Sequence, residues 1–229
     1  MSTAFQLMEK VVKRHPVMHH PFVIAFQRGK LTPYQVRCWA NQQSFLSVSL
    51  ASTFAALYMR IPDSLWREKR PLIDLLNVEA WGSKHPNAHS RLFEELCAYL
   101  NVDVRMLEGL PPQFYTQTYV TKRLELCLGR TPLTRGLGAI AANEVLNRCL
   151  HQTFRRGIHK IEGFADCPTA YFDAHIADES ADFEVFHQLI KKTARTKAQL
   201  KQVTTGVTQI LDLRNTFFTA LFEDIESSW

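Results

Sequence analysis

The stretch whose reading decides the fold is TPLTRGLGAIAANEVLNRCLHQTFRRG, residues 131–157. Thr131 and Pro132 form a cap-then-proline helix start, and no second proline interrupts the run before Gly157. Residues 136–142 are all small or apolar, so a helix here is enclosed on every side and not along one stripe. Such a helix needs other helices around it, which predicts the centre of a helical bundle. Two polar groups leave this segment on one face, Glu144 and, seven residues on, His151. A carboxylate there is costly unless paired, protonated or coordinated. Either Glu144 pairs with Arg148 one turn on, or it serves chemistry.

Working outward, breakers divide the chain into helices. Residues 3–14 read as the first and 18–28 as a second, ended by Gly29. Thr32 as N-cap with Pro33 behind it starts a long helix predicted to reach Arg60. Asp63 is the expected cap of the next, with a kink or break at Pro71. Helices follow at 87–100, 112–128 and 131–157, then one opened by Pro168 that is either separate from 178–192 or continuous with it, and a last at 195–226. No run alternates like a strand between hairpin turns. The expected fold is all-α, one domain over residues 1–229 with about eight or nine helices, long enough to bury a sizeable core.

Composition narrows the function classes. The net charge of +5 includes a basic run at 191–201 without an acid or an aromatic, which reads as a solvated helix end or linker rather than a nucleic-acid face. The longest apolar-rich run, residues 45–59, carries three serines and a threonine and suits a core helix, not a membrane span. Residues 1–16 hold no apolar signal segment, so the expectation is a cytoplasmic protein with neither membrane nor nucleic acid as partner. Five cysteines without a C-x-x-C read as reduced, mostly buried thiols.

A second stretch bears on chemistry. In YFDAHIADESAD, residues 171–182, His175, Glu179 and Asp182 stand at i, i+4 and i+7 on one helix face. They form either half of a metal site or a solvated acidic face, since Asp173, Asp178 and Glu184 add charge. Glu79 and His89 on one continuous helix would point about 80° apart and lie ~15 Å from each other. Gly82 and Pro86 break that helix, so Glu79 can end one helix and His89 begin the next, with His85 as a rival. His19 and His20, in HHPF, either line a pocket mouth or start a helix. Imidazole and carboxylate donors from several helices suit iron, with carboxylates able to bridge two ions.

Four segments, in this order, resemble the haem-oxygenase-like superfamily: HPVMHHPFVIAFQRGKLTPYQVRCWANQQSFL (15–46), LLNVEAWGSKHPNAHSRLF (75–93), AANEVLNRCLHQ (141–152) and AYFDAHIADESADF (170–183). The resemblance covers roughly residues 10–220 and takes in the TenA/thiaminase-II and pyrroloquinoline-quinone-synthase-like branch. It is nearest the non-haem di-iron oxidases that include the death-domain-associating para-aminobenzoate protein. It implies two iron ions held by Glu79, His89, Glu144, His175 and Glu179, with Glu144 or Glu79 bridging, and a homodimer that acts on a small organic substrate with O2. Where that branch has a final histidine this chain has Asp182, which implies a harder site taking iron or manganese, or a degenerate one taking fewer ions or none. The branch's tyrosine before the central Glu is Asn143 here, and its lysine ten residues after that Glu is Phe154, so the para-aminobenzoate reaction is not carried over.

Three other readings stay open on the same scaffold. A cofactorless oxidase would use Glu144 and His151 as acid and base, although Gln42, Leu46, His175 and Glu179 replace that enzyme's substrate contacts and disfavour a polycarboxylate. A thiaminase would need Cys149 as nucleophile. A binding protein would have kept the fold and lost the metal. Phe22, Phe26, Trp39, Tyr171 and Phe172 are either a substrate wall or core packing.

Overall fold

In the computed structural model, which describes residues 2–80, 84, 88–103 and 112–227, the segment from 133 to 158 is the axis around which the other helices pack. In chain order the helices are α1 (Thr3–Arg14), α2 (Pro21–Gln27), α3 (Pro33–Val48), α4 (Leu50–Arg60), α5 (Trp66–Lys69) and α6 (Pro71–Glu79). They continue with α7 (His89–Tyr99), α8 (Phe114–Cys127), α9 (Leu133–Ile158), α10 (Ala170–Thr193) and α11 (Lys197–Ser227). Short 3-10 turns cover Pro16–His19 and Asp63–Leu65. No strand occurs among the described residues, and no single helix among them is long and apolar enough to cross a membrane.

Every residue of α9 from Gly136 to Asn147 is buried, which includes the 136–142 stretch whose composition predicts it and the more polar residues that follow. Its main partners are α10 and α11. Small residues set how closely they approach. A Cβ added at Gly206 in α11 would lie 2.0 Å from the Arg135 carbonyl oxygen, and one at Gly138 would lie 2.4 Å from that of Val203. The two backbones therefore touch where neither carries a side chain. The buried apolar residues form one cluster running from Phe5 to Ile225.

Several helix ends follow the predicted chemistry. Thr32 and Gln35 make a reciprocal capping box at the start of α3. Pro71 separates α5 from α6, and the 171–175 segment continues without a break into α10. Other ends differ. The helix expected over 32–60 is interrupted at Ser49, whose hydroxyl donates to the carbonyls of Phe45 and Leu46. Thr131 is not the cap of α9: the cap position falls on Pro132, and the Thr131 hydroxyl donates to the Glu125 carbonyl. Asp63 lies within a 3-10 turn, and its carboxylate accepts from Lys69 instead of capping. The break at Ser49 and the separation of α5 from α6 at Pro71 account for the helices beyond the eight or nine expected.

Candidate metal centre

The helix break predicted between Glu79 and His89 places Glu79 at the last position of α6 and His89 at the first of α7. Both are buried, and His89 Nδ1 lies 2.7 Å from Glu79 Oε1. Its other nitrogen, Nε2, is 3.4 Å from Asp178 Oδ2. His85, the rival, lies outside the described residues. From α10, His175 and Glu179 point into the same interior and not into solvent, because this face of the helix packs on α9. The His175 ring sits 4.1 Å from that of His89 on one side and stacks 4.2 Å from that of His151 on the other.

The result is two overlapping donor groups, Glu79–His89–His175 and His151–His175–Glu179, within each of which the donor atoms lie within 4.8 Å of one another. Glu144 and Asp182 belong to neither group. Both stand near enough that their charges act on those of Glu79 and Glu179. Glu144 is not paired with Arg148, which instead donates to the Ile176 carbonyl and reaches Glu9. The only hydrogen bond to the Glu144 side chain among the described residues comes from Asn143, at 3.4 Å.

The electrostatics fit a cation. Burial, then Glu144, Asp182 and Glu79, raises the Glu179 carboxyl well above the usual range. Burial, Asp182 and Glu79 do the same to Glu144. Asp182, half-buried by surface exposure, is pushed up to about 7 by burial and by Glu79. Burial, with Arg214 and His89 behind it, holds His151 down to about 3, and burial with the neighbouring imidazoles lowers His175 as well. His89 is the exception: burial opposes its charge, but Glu79 and Asp178 outweigh burial and raise it to about 10. Glu179 Oε1 is 3.1 Å from His175 Nδ1 and 3.5 Å from His151 Nδ1, yet neither Glu179 oxygen nor His151 Nδ1 has a hydrogen bond among the described residues. Buried donors and acceptors are nearly always satisfied. Neutral imidazoles and an unpaired carboxyl at these distances are what a divalent ion would complete.

Other candidates fall elsewhere. His20 caps α2 through Nδ1 and touches Thr219, and His19 contacts the Lys13 carbonyl, so HHPF is a helix start. Phe22, Phe26 and Trp39 pack around Phe154 in the core. Tyr171 does reach the site, its ring 4.7 Å from His175 and 5.2 Å from His151, and Phe172 lies 6.1 Å from His151. Gln42 accepts from the Thr116 hydroxyl. Cys149 is buried and its thiol is pushed up to about 11 by burial, which keeps it protonated. Two residues that sequence reasoning passed over, Arg123 and Arg214, are buried beside the donors. They line a cavity of about 20 Å³ together with Glu79, His151, Tyr171 and His175.

The fold is an all-helical bundle with imidazoles and carboxylates converging at its buried centre, in groups that could hold a metal ion. The chain belongs to the iron-containing redox enzyme family, whose pattern matches residues 37–215. It is 25% identical over 176 residues to a 4-aminobenzoate synthase of Chlamydia muridarum, covering 76% of this chain and 71% of that one. It is 21% identical over 212 residues to a 4-chloro-allylglycine synthase of Streptantibioticus cattleyicolor, covering 93% and 80%. A CADD-like protein of unknown function from Nostoc punctiforme superposes with a TM-score of 0.76 at 15% identity, over 97% and 99% of the two chains. A domain of heme oxygenase-like fold from Shewanella denitrificans gives 0.74 at 14%, over 97% and 90%. TenA homologues share the fold as well. The haem-oxygenase-like architecture expected from the sequence is therefore that of the protein; at these identities the structures speak to fold alone.

Proposed function

We propose that the chain is a non-haem iron oxidase or oxygenase that acts on a small organic substrate with O2, with up to two iron ions in the cluster described above. The observation that carries this is the orphaned donor set of His151 and Glu179, buried beside His175 in a member of an iron-containing redox family. Glu79, His89 and His175 are one set of ligands, and His175, Glu179 and His151 the other, with Glu144 and Asp182 contributing from α9 and α10. His151 answers the departure at Asp182: the imidazole count of the related di-iron pattern is kept by a residue on another helix. Bound iron supplies the electrons that activate O2. The protein orients His89 through Glu79, holds His151 and His175 neutral and ready to ligate, and excludes water with Tyr171, Phe172 and Phe93.

The alternative in which Glu144 and His151 work as a metal-free acid–base pair is weaker. His151 is a poor base in this environment, and its near neighbours are His175 and Glu179. Nor is 4-aminobenzoate synthesis proposed, since Asn143 and Phe154 occupy the tyrosine and lysine positions of that reaction.

The test is elemental analysis after anaerobic loading with Fe(II) and removal of loosely held ion. Two irons per chain, with an optical change on admitting O2, support the di-iron form. One iron supports a site re-tuned by Asp182. No iron, or unchanged iron in a His175→Ala variant, removes the assignment.

A further inference from the structure

Arg123 on α8 and Arg214 on α11 are 1% and 3% exposed, so the two guanidinium groups are enclosed at the same cavity as Glu79, His151 and His175. Arginine does not lose its proton in a protein, and a buried charge is costly without a counter-charge. Neither residue has a carboxylate within ion-pair distance among the described residues. The carboxyl whose charge acts on Arg123 is that of Glu144, and it hydrogen-bonds with Asn143 instead.

Their existing partners are neutral. Arg123 Nη2 donates to the Leu46 carbonyl at 2.8 Å and to Ser49 Oγ at 2.7 Å, the point where α3 gives way to α4. Arg214 Nη2 donates to Asn147 Oδ1 at 3.3 Å, and its guanidinium lies 4.8 Å from the centre of the Tyr119 ring. Arg123 contacts the same ring, at 5.5 Å. These bonds brace the helices, but a neutral amide could make them. They leave the Nε of each arginine, buried and without a partner.

We propose that Arg123 and Arg214 form the anchoring subsite for a carboxylate group of the organic substrate, beside the metal donors. Two guanidinium groups with free Nε donors suit a planar carboxylate, which accepts hydrogen bonds on both oxygens. Charge counting agrees. If two divalent ions balance Glu79, Glu144, Glu179 and Asp182, which rests on the function proposed above, the two arginines are the charges left without an acid. The cavity of about 20 Å³ has space for about one water-sized group, so a carboxylate enters it only by moving the lining side chains apart. The substrate class is a small organic carboxylate.

The test uses the full chain, loaded anaerobically with Fe(II), with iron content measured on every sample. Acetate and hexanoate are titrated calorimetrically against acetamide and hexanamide, which match them in shape without the charge. The carboxylate of each pair is expected to bind about tenfold or more tighter than its amide. Arg214→Met and Arg123→Met should abolish that preference with iron content unchanged, while Arg214→Lys keeps part of it. If Arg214→Met does not fold, Arg214→Gln, which retains a donor for Asn147, takes its place. Equal binding of acid and amide by the wild type, or an unchanged preference in the arginine variants, overturns the proposal. A wild type that prefers carboxylates but takes up no iron would sink the metal assignment and leave the anion subsite standing.

Discussion

Replacing Glu179 with leucine should make the metal-free protein more stable while destroying its response to iron. Glu179 is 1% exposed, its carboxyl is pushed well above the usual carboxylate range by burial and by three neighbouring acids, and neither oxygen has a hydrogen bond among the described residues. An unsatisfied buried polar group costs about 1–3 kcal/mol, and leucine, larger than glutamate by about one methylene, fills the site with no polar atom. At roughly 2–4 °C per kcal/mol for a chain of this size, Tm of the metal-free variant should rise by about 2–12 °C. The wild type gains in the other condition. Iron at 100 times its Kd adds about 2.7 kcal/mol, or ~5–11 °C, and the variant should gain almost none of this. The assay is a pair of thermal melts by calorimetry, metal-free and Fe(II)-loaded under argon, for each protein. A metal-free Glu179→Leu protein that melts well below wild type, or one still stabilised by iron like wild type, would refute the reasoning that Glu179 is kept for a cation and not for the fold.

Three further outcomes follow from the same geometry. His151→Ala should weaken iron retention by about 100-fold or more, beyond what loss of an outer-shell contact does, with helicity unchanged by circular dichroism; full retention would return His151 to a packing role. Apparent iron affinity should rise from pH 6 to 8, because metal must displace the proton that Asp182 holds up to about 7; affinity flat across that range in competition titrations would contradict the raised carboxyl. Gly206→Ala drives a Cβ to 2.0 Å from the Arg135 carbonyl oxygen, so α9 and α11 must separate, at a cost of about 1–3 kcal/mol. A melt unchanged from wild type would mean that the contact is looser than described.

Much of the site was legible because its signals are local. His175 and Glu179 share a helix face by spacing alone, and the Gly82–Pro86 break foretold that Glu79 and His89 could meet across it. Local signals also misled where a side chain had a competing partner. Ser49 turns its hydroxyl back on its own helix and interrupts it, and Thr131 bonds to Glu125 rather than capping α9. Arg148 looked like a partner for Glu144 at one turn, but long-range contacts with Ile176 and Glu9 claimed it.

By itself the sequence determined an all-helical bundle, the enclosure of 136–142, and the shared helix face of His175 and Glu179, because helix periodicity and breakers act within a few residues. Only the tertiary structure decided that His151 stacks on His175 and stands beside Glu179, leaving Asp182 at the margin. Only the tertiary structure, too, turned Arg123 and Arg214 inward. Arginine belongs at the surface by its average behaviour, and nothing adjacent in the chain marks either one as buried. Their positions depend on the packing of α8 and α11 against α9, contacts between segments far apart in the chain.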